Sequence, residues 1–313
     1  MPRSGADEYD VAIVGGGPAG CSAGTFTARE GLETVIFDRG RSSIKRCAYL
    51  ENYLGFPEGI DIETFYDLMH DHVDAAGCDL VADLVESVER ADGGFVVEPQ
   101  EGDSVWARRV VAATRYDGEY LRGLDDEDAM FETHDHGDET HESFDKSYAD
   151  HDGTTPVEGL YVASPSEEDT QAIMAAGRGT RVAHCVIADA KLDDGWWNDV
   201  TENNVDWVRR LAERDEEWSD REDWAEWFDG YYGEDAPVDS DTDRYRAVRE
   251  AFVDERMSAY ISEAEAEDRA VAGHETLAER LDTDAVVSAV GETELLAVID
   301  DETIREYVDA EGV

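Results

Sequence analysis

The feature that most constrains this chain is a strand, a glycine turn and a helix in immediate succession. An apolar run from Tyr9 to Val14 ends in Gly15-Gly16-Gly17-Pro18-Ala19-Gly20, and a segment of small residues, Ala19 to Ala28, reads as the helix that follows. Gly15 allows the tight turn, Gly17 lets a pyrophosphate approach the backbone, and Gly20 lets helix and strand pack closely. The amides that open the helix then form an anion site. Alone, the G-x-G-x-x-G spacing is a weak signal. Here it follows a strand, opens a helix that continues through Gly24, and is followed by Val35-Ile36-Phe37 ending at Asp38, where a ribose-binding acid belongs. The pattern predicts a dinucleotide-binding α/β fold; the bland alternative is the same fold without its ligand.

A chain of 313 residues can bury a sizeable core and suggests about two domains. Its 78 Asp and Glu against 26 Lys and Arg give a formal net charge of −52. With 41% hydrophobic and 9% aromatic residues it is no disordered polyanion, so the acids belong to the surface of a folded protein. An excess spread through every segment looks like the cytosolic proteins of salt-accumulating halophiles, whose self-repulsion is screened only at high salt. Such charge argues against nucleic acid or an anionic membrane as a partner. The four cysteines, Cys21, Cys47, Cys78 and Cys185, form no C-x-x-C pair and no zinc-type spacing. No signal-peptide pattern and no membrane-spanning apolar run is present, so a cytoplasmic protein with reduced thiols is expected.

From Tyr9 to Asp38 the pattern is a β-α-β unit, its helix closed by Gly31. The basic stretch Arg41 to Arg46 either neutralises a diphosphate or a 2′-phosphate, or is an exposed loop of counter-charges. Next come Cys47 to Pro57, containing Glu51-Asn52-Tyr53, and a helical stretch from Ile62 to Ala76. In this order the segments resemble the FAD domain of thioredoxin reductases, in which the stretch matching Glu51-Asn52 passes beside the flavin. Leu80 to Glu89, Phe95 to Val97, Val105-Trp106 and Arg109 to Ala113 read as short strands, a β-meander with turns at Asp92-Gly93-Gly94 and Gly102-Asp103.

The resemblance implies a Rossmann-like FAD-binding domain over residues 1–120 and 155–192, with FAD as cofactor. It implies cofactor contacts at Gly15, Gly17, Pro18, Ala19, Gly20, Asp38, Arg39, Asn52, Val85, Thr114, Ser164, Gln171 and Ala172. Two places depart from the family pattern. Ala112-Ala113-Thr114 runs into Arg115 instead of glycine, a cation that either clashes with the cofactor or pairs with phosphate. Ala163-Ser164-Pro165 stands where the family has Ala-Gly-Asp, and Pro165 offers neither a side-chain group nor a backbone N–H. Ser164, or Glu167 to Asp169, are the available substitutes. The pattern resumes at Gln171-Ala172-Ile173, opening a helix whose N-terminus, in the family, faces the flavin pyrimidine and stabilises negative charge there.

Thioredoxin reductases carry a second Rossmann domain, with the NADPH site and the redox C-x-x-C, where this chain has only residues 121–154. That bridge holds no second glycine motif and no cysteine, and one β-α-β unit alone needs about 30 residues. The route from NADPH through flavin to an internal dithiol is therefore excluded on this reading. His134, His136, His141 and His151 lie among carboxylates, a composition suited to a divalent metal, but a solvated acidic linker is the preferred reading and no metal is assigned. Residues 193–313 read as a mostly helical region. Trp224 and Trp227 would share a helix face, Gly233 to Asp243 reads as a linker, and residues 244–312 as three helices, one running on past Gly291. This region either covers the site left open by the missing domain or forms a homodimer contact.

The expected function is an FAD-dependent oxidoreductase whose electron donor is a separate protein or a small-molecule thiol. Cys47, just before the flavin-facing segment, is the candidate catalytic thiol; the competing reading is a small buried apolar residue. The alternative function is a non-catalytic flavin- or nucleotide-binding redox sensor or complex subunit.

Overall fold

The computed structural model describes residues 7–116, 118–136, 139–167, 171–202, 209–215 and 218–311. The chain divides into two compact units, residues 1–263 and 264–313.

The first unit is built on β1 (Glu8–Val14), α1 (Pro18–Arg29) and β2 (Thr34–Phe37). Gly31 at φ +90° closes α1 as expected. An antiparallel pair, β3 (Tyr49–Leu50) and β4 (Ile60–Asp61), leads into α2 (Ile62–Ala76), capped by the Asp61 carboxylate and ended by Gly77 at φ +95°. There follow β5 (Asp79–Val81), β6 (Val85–Ala91), β7 (Gly94–Pro99) and β8 (Val105–Ala113). The bridge contributes α3 (Glu127–Met130), β9 (Phe131–His136) and β10 (Glu139–Phe144). The core closes with β11 (Leu160–Ser164) and α4 (Ala172–Asp193). The main sheet runs β5-β2-β1-β8-β7-β6, with β11 paired to β8. β5, β2, β1, β8 and β11 are parallel, and β7 and β6 turn back antiparallel as the meander.

Two strand boundaries differ from the sequence reading. The stretch from Leu80 to Glu89 breaks at Asp83, whose carboxylate accepts the amides of Leu84 (2.7 Å), Glu101 and Gly102 (both 3.0 Å) and so makes a corner. Val105 to Ala113, by contrast, is one strand. β1 covers one of its edges, and the other is shared: residues 105–107 pair with β7 and residues 110–113 with β11.

α1 and α4 pack together on one face of the sheet, and the contact between the two helices is made by small residues. A Cβ on Gly20 would collide with the Gly15 carbonyl, and one on Gly179 with the carbonyl of Ala19. Ser22 and Thr180 hydroxyls meet across the same seam at 2.8 Å. On the sheet side, Arg109, only 3% exposed, leaves β8 to bond Asp189 (2.6 Å) and Asp193 (2.7 Å) on α4. Arg178, also buried, donates to the carbonyls of Asp150, His151 and Val162, tying the end of the bridge to β11.

The bridge is more than a linker. β9 and β10 form an antiparallel hairpin with His134 opposite His141, and its root is apolar: Met130, Phe131 and Phe144 are buried with Tyr120, Leu121 and Leu124. Histidines and acids dominate its composition and hide the few apolar residues that anchor it. Gly137 and Asp138 lie outside the described residues, and among the described residues no three His, Cys, Asp or Glu gather as a metal site would.

The first unit continues through α5 (Asn198–Thr201), β12 (Arg210–Leu211), α6 (Arg221–Tyr232), α7 (Asp243–Ser258) and β13 (Tyr260–Ile261), which pairs with β12. Trp196, Trp197, Phe228, Tyr245 and Phe252 form its aromatic core, with Trp224 and Trp227 on one face of α6 as expected. Trp207 lies outside the described residues. Lys191 of α4, buried, pairs with Glu30 at the end of α1 (2.5 Å) and Glu255 of α7 (2.8 Å), so one ammonium joins this region to the sandwich. Burial, more than its charged neighbours, pushes the Glu255 carboxyl up.

The second unit carries α8 (Glu263–Glu279), α9 (Thr283–Val290), α10 (Glu292–Val298) and α11 (Asp301–Glu311). With α7 that makes five helices where the sequence suggested three. Gly291, at φ +95°, stops α9 instead of letting it run on. Among the described residues no helix is long and apolar enough to cross a membrane.

The α1–α4 seam gives a direct test. Gly179→Ala is expected to lose at least about 2 kcal/mol in urea unfolding, because its methyl meets backbone that cannot yield. Gly177→Ala in the same helix, with nothing within 4 Å of the new methyl, should gain up to about 1 kcal/mol. Equal effects from the two would refute the close-contact account.

Candidate functional site

The parallel strands deliver their C-terminal ends to one cleft, of about 270 Å³, over the glycine turn. Gly15, Gly17, Pro18 and Ala19 form its floor, and Asp38 and Arg39 follow from β2. Cys47 comes from the loop after Arg46, Val85 from the start of β6 and Thr114 from the end of β8. Ser164 closes β11, and Gln171 and Ala172 open α4. Residues as far apart in sequence as Val14 and Ala175 thus share one cavity wall. Gly20 does not line the cleft; it lies beneath, against the Gly15 carbonyl. Asn52 does not line it either. Its amide donates to the Gln171 Oε1 at 2.6 Å, which joins the Glu51-Asn52 segment to the α4 N-terminus.

Glycine is required in this turn on geometric grounds. Gly15 sits at φ +119°, and a Cβ there would lie 2.5 Å from the Ala113 carbonyl oxygen. A Cβ on Gly17 would stand 2.7 Å from the Ser42 hydroxyl, inside the cleft wall. The opening of α1 has Pro18 at its first position, no side-chain cap and no acid in its first turn, so its amides are presented to the cleft. The α4 opening, at Gln171, likewise has no side-chain cap.

Charge in the cleft runs against the rest of the molecule. Arg39, Arg41, Arg46 and Arg115 line it, against the acids Asp38 and Asp83, in a chain of net charge −52. Arg115 lies over the Tyr116 ring at 5.2 Å, and Arg46 lies over the same ring at 5.6 Å. Tyr116 is 66% exposed, so this stack lies at the cleft rim. An anionic ligand fits this lining; a cationic one does not. The donor set therefore suits a dinucleotide diphosphate: uncapped helix amides, guanidinium groups, and an acid after β2.

Asp38 is 7% exposed. Its Oδ1 accepts the Gly40 amide (2.9 Å), and its Oδ2 accepts the Tyr66 hydroxyl and lies 3.4 Å from the His70 Nε2. Burial, then the bond to Asp38, pushes the Tyr66 phenol up, so it stays protonated. The sequence reading missed Tyr66 and His70. Their i, i+4 spacing on α2 puts both rings on one face, but only the fold shows that Asp38 sits against that face.

The four thiols differ sharply. Cys21 and Cys78 are buried, and burial is the main cause that pushes each to about 12. Cys185 is half-buried and raised to about 11 for the same main reason. Cys47 alone is exposed, and it lines the cleft, so the buried-apolar reading of that residue is overturned. Of the suggested substitutes for the missing aspartate, Glu167 is exposed, and Glu168 and Asp169 lie outside the described residues.

Residues 9–141 match the family model described as pyridine nucleotide-disulphide oxidoreductase. A component of the alkyl hydroperoxide reductase of Staphylococcus aureus is 33% identical over 110 residues, 34% of this chain and 22% of that protein. Thioredoxin reductase of Streptomyces coelicolor is 30% identical over 127 residues, 40% of this chain and 39% of that protein. The chain thus spans well under half the length of both curated relatives. Among solved structures, a thioredoxin reductase from Gloeobacter violaceus superposes with a TM-score of 0.48 at 18% identity, covering 65% of this chain and 98% of that one. The matched segment holds the glycine turn, the acid after β2 and the meander, and through it this chain is similar to the thioredoxin reductase-like pyridine nucleotide-disulphide oxidoreductases.

Proposed function

We propose that this chain is an FAD-dependent oxidoreductase that draws its electrons from outside, from a separate donor protein or a small-molecule thiol. The observation that carries the reading is the arginine-lined cleft over an uncapped helix N-terminus, in a protein otherwise dominated by carboxylates. Bound there, FAD would supply two-electron and one-electron transfer. The amides opening α1, with Arg39 and Arg41, would hold the diphosphate, and Asp38 would accept from the adenosine ribose. Gln171, fixed by Asn52, and the uncapped opening of α4 would present amides to developing negative charge.

The bridge supports an external donor, since its sequence carries no second glycine motif and no cysteine between Tyr120 and Thr155. The exposed Cys47 is the thiol that an incoming dithiol would meet. The surface charge supports a protein that works in molar salt in the cytoplasm, where screening removes its self-repulsion.

Purified in molar KCl and reconstituted with FAD, the protein is expected to be yellow and to bleach anaerobically with dithiothreitol but not with NADPH. A colourless protein that takes up no FAD would sink the flavin reading. Bleaching by NADPH would contradict the external donor. Cys47→Ser should keep the visible spectrum and abolish reduction by dithiol; unchanged rates would remove Cys47 from the chemistry.

A second measurement concerns the thiols themselves. At neutral pH, brief alkylation followed by peptide mass spectrometry should label Cys47 first, and Cys21 and Cys78 only after unfolding. Early labelling of Cys21 would show that the glycine turn opens in the native protein.

A further inference from the structure

The geometry points to Tyr66 and His70 as positioning residues that aim the Asp38 carboxylate and so set the preference of the cleft for a ribose with an intact 2′-hydroxyl. The inference deepens the dinucleotide reading above and rests on it. Neither ring lines the cleft; Asp38 does. Both act from behind it, one helical turn apart on α2, with their rings in contact at 4.4 Å.

The arrangement leaves Asp38 little freedom. Its Cβ lies against Gly16, so close that a methyl on Gly16 would come within 2.5 Å of it. Tyr66 donates to Oδ2. The His70 Nε2 lies 3.4 Å from the same oxygen and 3.3 Å from the Gly16 carbonyl. Both neighbours are acceptors, so Nε2 carries the proton and shares it between the acid and the turn. Lys45 covers the outer face of the Tyr66 ring at 3.9 Å and keeps it seated. Oδ1, which takes the Gly40 amide at 2.9 Å, retains acceptor capacity for a ligand hydroxyl. Oδ2 is thus held by α2, Oδ1 by the loop that carries Arg39 and Arg41, and one imidazole binds the acid and the glycine turn as a unit. A carboxylate loosened from these donors could rotate or draw in water, and its bond to a ribose hydroxyl would lose its fixed direction.

ADP and 2′-deoxy-ADP, titrated calorimetrically, separate this role from a merely structural one. Wild type is expected to bind ADP about tenfold more tightly than 2′-deoxy-ADP, the size of one hydrogen bond to a charged group. Tyr66→Phe and His70→Leu should shrink that preference to about twofold, mainly by weakening ADP, while His70→Gln, which keeps an N–H donor, retains most of it. Asp38→Asn should abolish the preference, and adding Tyr66→Phe to it should have no further effect on it, since both act through one carboxylate. Equal weakening of the two ligands in Tyr66→Phe and His70→Leu would mean a structural role and overturn the inference, as would a wild type that binds both alike or neither. Because neither probe contains flavin, a protein that discriminates these ligands but takes up no FAD would uphold this inference while removing the flavin reading.

Discussion

The structure depends on a backbone approach that only glycine allows. α1 must start close enough to β1 for its first amides to face the cleft, and Gly20 against the Gly15 carbonyl sets that distance. The other side of α1 must then admit α4, and Gly179 against Ala19 sets that second distance. Both contacts bear on the same turn of α1, so the anion site and the α1–α4 contact are one packing problem. Bulk added at either point would push apart the elements whose ends make the cleft. Arg109, reaching from β8 to Asp189 and Asp193, holds the far end of α4 to the sheet, and Lys191 of α4 pairs there with Glu30 at the end of α1.

Electrostatics add a second constraint. A net charge of −52 repels the phosphates of a dinucleotide at long range, and salt shortens that range without reversing its sign. Binding therefore depends on local positive charge. Arg39, Arg41, Arg46 and Arg115 supply it from two loops, one after β2 and one after β8, which meet where Arg46 and Arg115 face Tyr116. Arg115, where the resemblance leads one to expect a glycine, puts a cation at the cleft mouth. Ser164-Pro165 has no comparable account.

Much of the first unit could be read directly from sequence, because it rests on local rules. The glycine turn, the acid ending β2, the amphipathic α2 and the small-residue α4 each carry their own signal, and twelve of the fourteen residues singled out line one cleft. What escaped were features decided by non-local pairing. β8 looked like two strands because its middle is polar, yet Arg108 and Arg109 both bond acids of α4 from within an unbroken ladder. The β9–β10 hairpin looked like a linker because its exposed surface is histidine and acid, while two phenylalanines at its root do the anchoring. Tyr66 and His70 were hidden for a similar reason: polar residues on a helix face carry no message until the strand end they meet is known. Helix ends in the second unit escaped for a local reason, since Gly291 lies within a continuous apolar pattern and its positive φ is a backbone choice that composition does not report.

The bridge also bears on the cleft. The chain between β8 and β11 covers apolar surface. Met130, Phe131 and Phe144 close over Tyr120 and Leu121, and Arg122 fastens the lid of this cluster, pairing with Glu142 at 2.7 Å and lying over the Phe131 ring at 4.0 Å. Thr114 meets the Tyr120 hydroxyl at 3.0 Å, so the cluster reaches the cleft wall itself. A hairpin rooted this way is part of the core of the first unit, and it fixes the position of Thr114 at the end of β8. The bridge thus supports the cleft it borders, while Cys47 and the Arg46–Tyr116–Arg115 stack stay exposed at the cleft.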